Sequence, residues 1–405
     1  MRINKLATIK SILENHPDRT TNYEGGVAFK MDAQNRLYTR VATCLVGEPK
    51  FYKEINNSDV RYVGFGKHAP PEVDVNQDKL LLQDIQEVSQ TDPEFILQLA
   101  TYARNTLNLR TVSIVLLVEA SLIKECKPFV RKYTPKIIRR ADELAEAVAY
   151  LQRKIGHIGN KAKKGSMPSA LKRGLAEAFN NFDAYQFAKY DRGGMVKLKD
   201  VLKLVHPTPK NAQQSEIFKQ LKEGNLPVPK TWETVISTKG STKENWESVV
   251  PNMGYMGLLR NIRNFLEKGV DTTVIRQRLT LRDAVLKSKQ LPFRFFSAYR
   301  EIESVASTQS GKVLTALENA MDVSVANLPK LSGTTFIVAD NSGSMESNLS
   351  ERSKVKYKDV ANLMLCIANN ISDTAMTGLF ATDFQVVNIS QRNGVLGNLR
   401  IIGNM

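Results

Sequence analysis

Cysteine is scarce in this 405-residue chain: Cys44, Cys126 and Cys366 are odd in number and lie far apart. They offer neither a disulfide framework nor a metal-type spacing, which points to a reducing compartment. The four histidines (His16, His68, His157 and His206) do not pair at metal spacing, and no Cys–His arrangement suggests a nucleophile. Long hydrophobic runs are missing too. The best, Ser113 to Ile123, is interrupted by Glu119 and falls well short of the roughly 20 residues of a membrane span. The first thirty residues contain no apolar segment of the secretory kind. A cytoplasmic setting is therefore expected. No G-x-x-x-x-G-K-[ST] phosphate loop is present, and Gly64-Phe65-Gly66-Lys67 has neither its length nor its context. No catalytic machinery emerges, so the chain is read as a non-enzyme.

Acidic residues are also in short supply. Against 57 Lys and Arg stand 41 Asp and Glu, a formal net charge of +16. A hydrophobic fraction of 42% and a charged fraction of 24% suit a globular chain, so disorder and fibrous classes are excluded. The charge is focused. Residues 331–405 hold six basic and six acidic residues, whereas residues 121–210 hold 20 basic against 8 acidic, a net of +12. A solvated helix face mixes signs, while a one-sign block suits a polyanionic partner, nucleic acid first and an acidic membrane surface second.

Periodicity from about 80 to 330 is helical. Asp92-Pro93-Glu94 starts a helix with Pro in its first turn. Further helices are predicted near 111–123, 134–155, 168–180, 197–205, 253–268, 277–288, 292–304 and 311–321. Their lengths suit stacked antiparallel pairs of the solenoid kind. Pro207, Pro209, Pro227 and Pro229 make 207–250 read as a loop-rich insertion, in which Trp232 and Trp246 are packing residues. After residue 330 the pattern changes. Thr334 to Ala339 reads as a buried strand, 353–371 as a helix, and Thr377 to Ala381 and Gln385 to Ile389 as strands. Strand–helix–strand implies an open α/β sheet. The expectation is therefore a helical module over 1–330 and an α/β domain over 331–405, the latter incomplete because such sheets normally have about five or six strands.

Asp340-Asn341-Ser342-Gly343-Ser344 follows the first strand of that domain. Asp340, Ser342 and Ser344 would offer hard oxygens to Mg²⁺ at the carboxyl end of a strand, where α/β sheets bind ligands. The pattern resembles the metal-ion-dependent adhesion site of a von Willebrand factor A domain. That family also uses a Thr and a second Asp from later loops, for which this chain has no match.

Upstream, Asn35-Arg36-Leu37 and Lys50-Phe51-Tyr52 resemble the opening of the TROVE module, as do Pro93-Glu94-Phe95, Tyr102-Ala103-Arg104-Asn105 and Leu109-Arg110-Thr111. Pro168 to Leu175, Leu258-Leu259-Arg260-Asn261-Ile262 and Leu291-Pro292-Phe293-Arg294 resemble later segments of it. In this order, ahead of a von Willebrand-like strand, they resemble the Ro ribonucleoprotein autoantigen family over residues 20–390. The resemblance implies a mainly α fold, a ring of HEAT-like helical repeats followed by a partial von Willebrand factor A-like domain. It implies binding of Y-like small RNA on a basic surface and of the single-stranded 3′ ends of misfolded RNAs in the ring's hole. It also implies work alongside an exoribonuclease in RNA quality control or maturation.

Candidate RNA-binding residues follow. Lys189 and Tyr190 lie in the family's Y RNA contact region, and His206 matches a family contact. One family arginine falls at Gly193, with Arg192 beside it. Lys and Arg neutralise phosphates, while His and Tyr stack on unpaired bases. For His206 the alternative is a helix C-terminal residue ahead of Pro207. Lys161, Lys163, Lys164, Lys172 and Arg173 form the densest basic patch, around Gly159 and Gly165. Arg260 and Arg294 have two readings: lining the hole, or anchoring helix packing with their stems. A rival function is a protein-binding adaptor using Mg²⁺ at Asp340, Ser342 and Ser344. A hidden nuclease is disfavoured because carboxylate clusters are missing.

Overall fold

Residues 17–21, 25–45, 77–155, 166–191, 196–326, 328–348 and 355–403 are described by the computed structural model of the chain. Two compact units follow one another in sequence, divided between Pro229 and Lys230. The first opens with a short antiparallel ribbon, β1 (Arg19–Thr21) with β2 (Val27–Phe29). Ten helices of that unit come next: α1 (Ala33–Thr43), α2 (Gln77–Thr91), α3 (Pro93–Asn105), α4 (Thr111–Leu122), α5 (Lys127–Ile137), α6 (Ala141–Ile155), α7 (Ser169–Ala178), α8 (Ala184–Tyr190), α9 (Leu198–Val205) and α10 (Ala212–Glu223). α1, α3, α5 and α7 lie side by side in one layer, and α2, α4, α6 and α9 in a second. This is the stacked-pair arrangement the helix lengths imply.

Local chemistry accounts for the helix ends. Asp92 accepts from the Phe95 amide at 3.1 Å, and Pro93 occupies the first turn of α3, as expected from the sequence. α4 is mostly apolar and buried on nearly every side, as a helix enclosed by neighbours must be, and its one charged residue, Glu119, is paired with Lys154 at 2.9 Å. The last carbonyls of α5 lack intrahelical donors. Side-chain amides supply them: Asn105 donates to Lys136 O and Asn181 to Pro135 O, each at 3.1 Å.

The single helix expected over 134–155 is two. α5 ends at Ile137, two residues after Pro135, which has no N–H to donate. α6 restarts at Ala141 because the Glu143 carboxylate accepts from the amides of Arg139 and Arg140 at 2.7 and 3.1 Å.

The second unit contains α11 (Trp232–Lys239), α12 (Lys243–Val249), α13 (Tyr255–Glu267), α14 (Thr273–Thr280), α15 (Arg282–Ser288), α16 (Pro292–Ile302) and α17 (Ser310–Val325). The segment 207–250 is therefore not a loop-rich insertion, since it holds α10, α11 and α12. Side-chain caps at Asn211, Thr231 and Thr242 start those helices. Flanking prolines hid all three, and α11 and α12 are also short. Trp232 stacks on Trp246 at 5.9 Å, and Trp246 meets Phe265 edge-on at 5.3 Å, both as packing residues. β3 (Leu331–Asp340), α18 (Tyr357–Ile371), β4 (Ser372–Phe380), β5 (Phe384–Val386) and α19 (Gly394–Gly403) complete the unit. β3 pairs parallel with β4, and β4 antiparallel with β5. These elements share one hydrophobic core with α13–α17, so the compositional change at residue 331 falls inside a compact unit.

α5 and α7 touch closely at Gly174, where a Cβ would lie 2.5 Å from the buried Thr134 side chain. Gly174→Ala is expected to lower stability by about 1–3 kcal/mol through overpacking. Gly254→Ala, which meets nothing within 4 Å, should change it by less than about 0.5 kcal/mol. Thermal denaturation of the two variants checks this.

Candidate nucleic-acid interface

α8 displays the sequence-predicted pair Lys189 and Tyr190. A reciprocal cap starts it: the Gln186 amide donates to Asp183 Oδ1 at 2.7 Å, and the Asp183 amide to Gln186 Oε1 at 3.0 Å. Phe187 is buried against Phe179, Phe182 and Phe218, which fixes the rotation of the short helix. Tyr185 and Lys189, four residues apart, share a face. Lys189 Nζ lies 5.8 Å from the Tyr185 ring centre and 5.5 Å from that of Tyr190. Tyr185 is 50% exposed, so part of its ring is accessible.

A fourth member comes from the α5–α6 break. The Arg140 guanidinium stands 4.5 Å from the Tyr190 ring centre, a cation–π distance. It is held by Asp142, which accepts from Nε at 3.0 Å and Nη2 at 2.7 Å. Beneath it, Glu143 is fully buried. Besides the two backbone amides it accepts from Arg104 Nε and Nη2 at 3.1 and 2.7 Å. Next to this pair, Arg110 meets both Glu146 and Asp142. Burial pushes the Glu146 carboxyl pKa above its ordinary value, against the pull of Arg110.

The remaining sequence-predicted residues are dispersed. Lys172 and Arg173 ride on α7, in the layer with α5, and Arg173 is exposed. His206 is the C-terminal cap of α9, in left-handed conformation (φ 51°), its amide donating to Leu202 O at 3.0 Å. It is thus a helix-terminus residue with an exposed ring. Lys161, Lys163, Lys164 and Arg192 lie outside the described residues. Arg260 on α13 and Arg294 on α16 are both exposed and border one cleft of the second unit.

Neither Tyr185 nor Arg140 was singled out from the sequence. Their signals were a Tyr four residues before Lys189 and the tandem Arg139-Arg140 just ahead of Asp142-Glu143. Many bases of the block are internally neutralised, as in Arg131–Glu177 and Lys132–Glu94 at 2.5 and 2.8 Å. Lys136, Arg139, Arg173 and Lys203 are exposed and form no ion pair among the described residues.

In the second unit, Asp340 closes β3 and accepts from the Ser342 amide at 2.8 Å. The Ser342 and Ser344 hydroxyls lie 3.2 Å apart, and the Asn341 amide ties the loop to Phe380 O at 2.8 Å. Asn341 Oδ1 is buried and has no hydrogen-bond partner among the described residues. One carboxylate and two hydroxyls form a sparse hard-oxygen set. Among the described residues no three His, Cys, Asp or Glu are grouped to hold a metal. Burial pushes the Cys126 and Cys366 thiols up to about 11 and about 12, which disfavours the thiolate at both. Among the described residues no helix is long and apolar enough to cross a membrane.

Removing the Glu143 charge leaves the Arg104 guanidinium buried without its counter-ion. Glu143→Gln is therefore expected to cost about 3 kcal/mol, measured by urea denaturation of the full chain. The paired change Arg104→Met with Glu143→Leu should cost less than the single one, because no uncompensated charge remains.

The TROVE domain family model matches residues 20–224 and 222–362. The chain is 23% identical over 318 residues to telomerase protein component 1 of Mus musculus, covering 57% of this chain and 12% of that protein. The Rattus norvegicus counterpart is 23% identical over 304 residues, covering 55% and 12%. The chain thus spans about an eighth of the length of these curated relatives. The crystal structure of the Deinococcus radiodurans RO (RSR) protein superposes with a TM-score of 0.59 at 18% identity, over 90% of this chain and 79% of that one. The mainly α fold with a small α/β segment is the fold of that structure. With its two-layer helix stack, its strand–helix–strand segment and a domain match across most of its length, the chain belongs to the TROVE domain family.

Proposed function

We propose that the chain is an RNA-binding component of a ribonucleoprotein and is not itself an enzyme. One observation carries the reading: Tyr185, Lys189, Tyr190 and Arg140 form an interleaved group of π-faces and cations. Unpaired bases stack on such tyrosines, and the ammonium and guanidinium groups meet the flanking phosphates. The local excess of twelve positive charges supplies attraction of longer range. Its RNA is a small non-coding, Y-like RNA, bound at α8 together with Lys172, Arg173 and His206. Single-stranded 3′ ends of misfolded RNAs are a second class, presented to an exoribonuclease partner during quality control or maturation in the cytoplasm.

A second reading rests on the paired Ser342 and Ser344 hydroxyls next to Asp340. They would hold Mg²⁺, with water completing its shell, for an acidic residue of a protein partner.

Filter binding of a structured small RNA with a single-stranded 3′ tail, against salt, tests the first reading. Affinity should be tighter than micromolar at low salt and fall steeply as salt rises. Tyr185→Ala should weaken binding by about 1–3 kcal/mol, and Lys189→Ala should flatten the log–log salt slope by about one. Unchanged binding by both variants sinks the site. For the second reading, calorimetric titration with Mg²⁺ should show binding that Asp340→Ala abolishes, and no heat from the parent chain removes it.

A further inference from the structure

The sheet of the second unit has two apolar faces, and α18 covers only one of them. Strand alternation separates the two. Ala339 of β3 and Leu379 of β4 are buried in one core with Leu363 and Cys366 of α18. The alternate positions stand on the opposite face. The parallel register sets Phe336 beside Met376 and Val338 beside Gly378. The antiparallel register sets Gly378 beside Val386 and Phe380 beside Phe384. Phe336, Val338, Met376, Phe380, Phe384 and Val386 therefore share that face, and each is between 38% and 65% exposed.

The six side chains form a single patch. Gly378 stands at its centre, and the Phe384 ring lies where a Cβ at that position would be. From there Phe384 reaches the Phe336 ring, with 6.1 Å between ring centres, so two aromatic rings bridge the three strands. Among the paired positions of this face the only charged residue is Asp340, at the carboxyl end of β3. At these exposures the patch presents roughly 500–600 Å² of apolar surface, taking about 150–250 Å² for a whole aromatic side chain. Contiguous apolar patches of that size mark interaction sites.

The chemistry of the face selects its occupant. With no cation on it, the face offers nothing to a phosphate, so RNA is a poor fit. A second copy of the chain fits. Residues 331–405 hold six basic and six acidic residues, so two copies approach through this segment without the repulsion that residues 121–210 would impose. Two such patches together bury about 1,000–1,200 Å², the lower bound for a specific interface. Parallel strands are normally covered on both faces, and two sheets packed face to face meet that need. We propose that the outer face of β3, β4 and β5 is a self-association surface, on which the same face of a second copy packs about a two-fold axis. Such a contact is closed, so assembly stops at the dimer.

Sedimentation velocity of the full chain, freed of RNA by ribonuclease, tests this. A monomer–dimer equilibrium is expected with a dissociation constant of about 1–100 μM, in keeping with an interface at the small end of the range. Raising the salt concentration should not weaken it, because no ion pair is involved. Phe336→Asp and Val386→Asp should each raise the dissociation constant at least about tenfold, as burying an unpaired carboxylate requires. Both side chains are exposed, so the melting temperature should hold. Phe336→Thr removes the ring while keeping a strand-favouring residue, and it too should weaken the dimer. Amide hydrogen exchange of the unaltered chain supplies a readout free of mutation: protection of β3, β4 and β5 should rise with protein concentration. RNA binding should be the same in all three variants. A chain that stays monomeric to about ten times the upper end of that range overturns the proposal. So does a dimer that all three variants leave intact, or growth beyond the dimer, as open edge-to-edge pairing of strands would give. Binding of the monomer to phosphatidylcholine vesicles, with no dimer in solution, overturns it in favour of a lipid surface.

Discussion

A single buried carboxylate organises the first unit. Glu143 accepts four hydrogen bonds, two from the Arg104 guanidinium on α3 and two from the backbone amides of Arg139 and Arg140. In that one contact the side chain neutralises a cation, links two helix layers and caps α6. Each function depends on the others. The buried charge is tolerable because every lone pair is occupied, and the amides are satisfied because the charge is there. The turn so fixed aims Arg140 at Tyr190, so the candidate RNA-binding face is a by-product of how a helix junction solves its polar bookkeeping.

Close packing constrains the same region from the other side. Gly174 lets α7 approach α5, and Asn105 and Asn181 occupy the carbonyls that α5 leaves open. α8 is too short to be stable alone and owes its orientation to Phe187 in an aromatic pocket. Rigid support of this kind matters for a face that stacks bases, because side chains already ordered lose less entropy on binding. The second unit follows another logic. Its α/β segment is not a separate body but shares a core with the helices before it, through Val313, Leu317 and Ala320 on one side and Leu363 and Val395 on the other.

Much of this was legible before any coordinates. Periodicity marked α4, α13 and α16 nearly to their ends, because each carries a dozen or so residues with many apolar positions, and Asp92-Pro93 marked the start of α3. The strand–helix–strand change after residue 330 was equally plain from its β-branched run, although that run reads as a buried strand and β3 is mostly exposed, with Ala339 its buried residue. Less legible were helices of seven or eight residues such as α8, α11 and α12, which contain too few turns to show a stripe. The break at 138–140 was invisible for a different reason: Glu143 acts there as a remote cap, and a mid-helix Glu reads as helix-forming.

Sequence by itself determined the mainly helical class, the focus of positive charge on residues 121–210, and Lys189 and Tyr190 as candidates. These depend on composition and on neighbours along the chain. Tertiary structure alone decided that Arg140 joins that pair and that Arg260 and Arg294 border one cleft. Such groupings are set by which helix faces meet across the stack, and the burial that selects those faces acts between residues far apart in the chain.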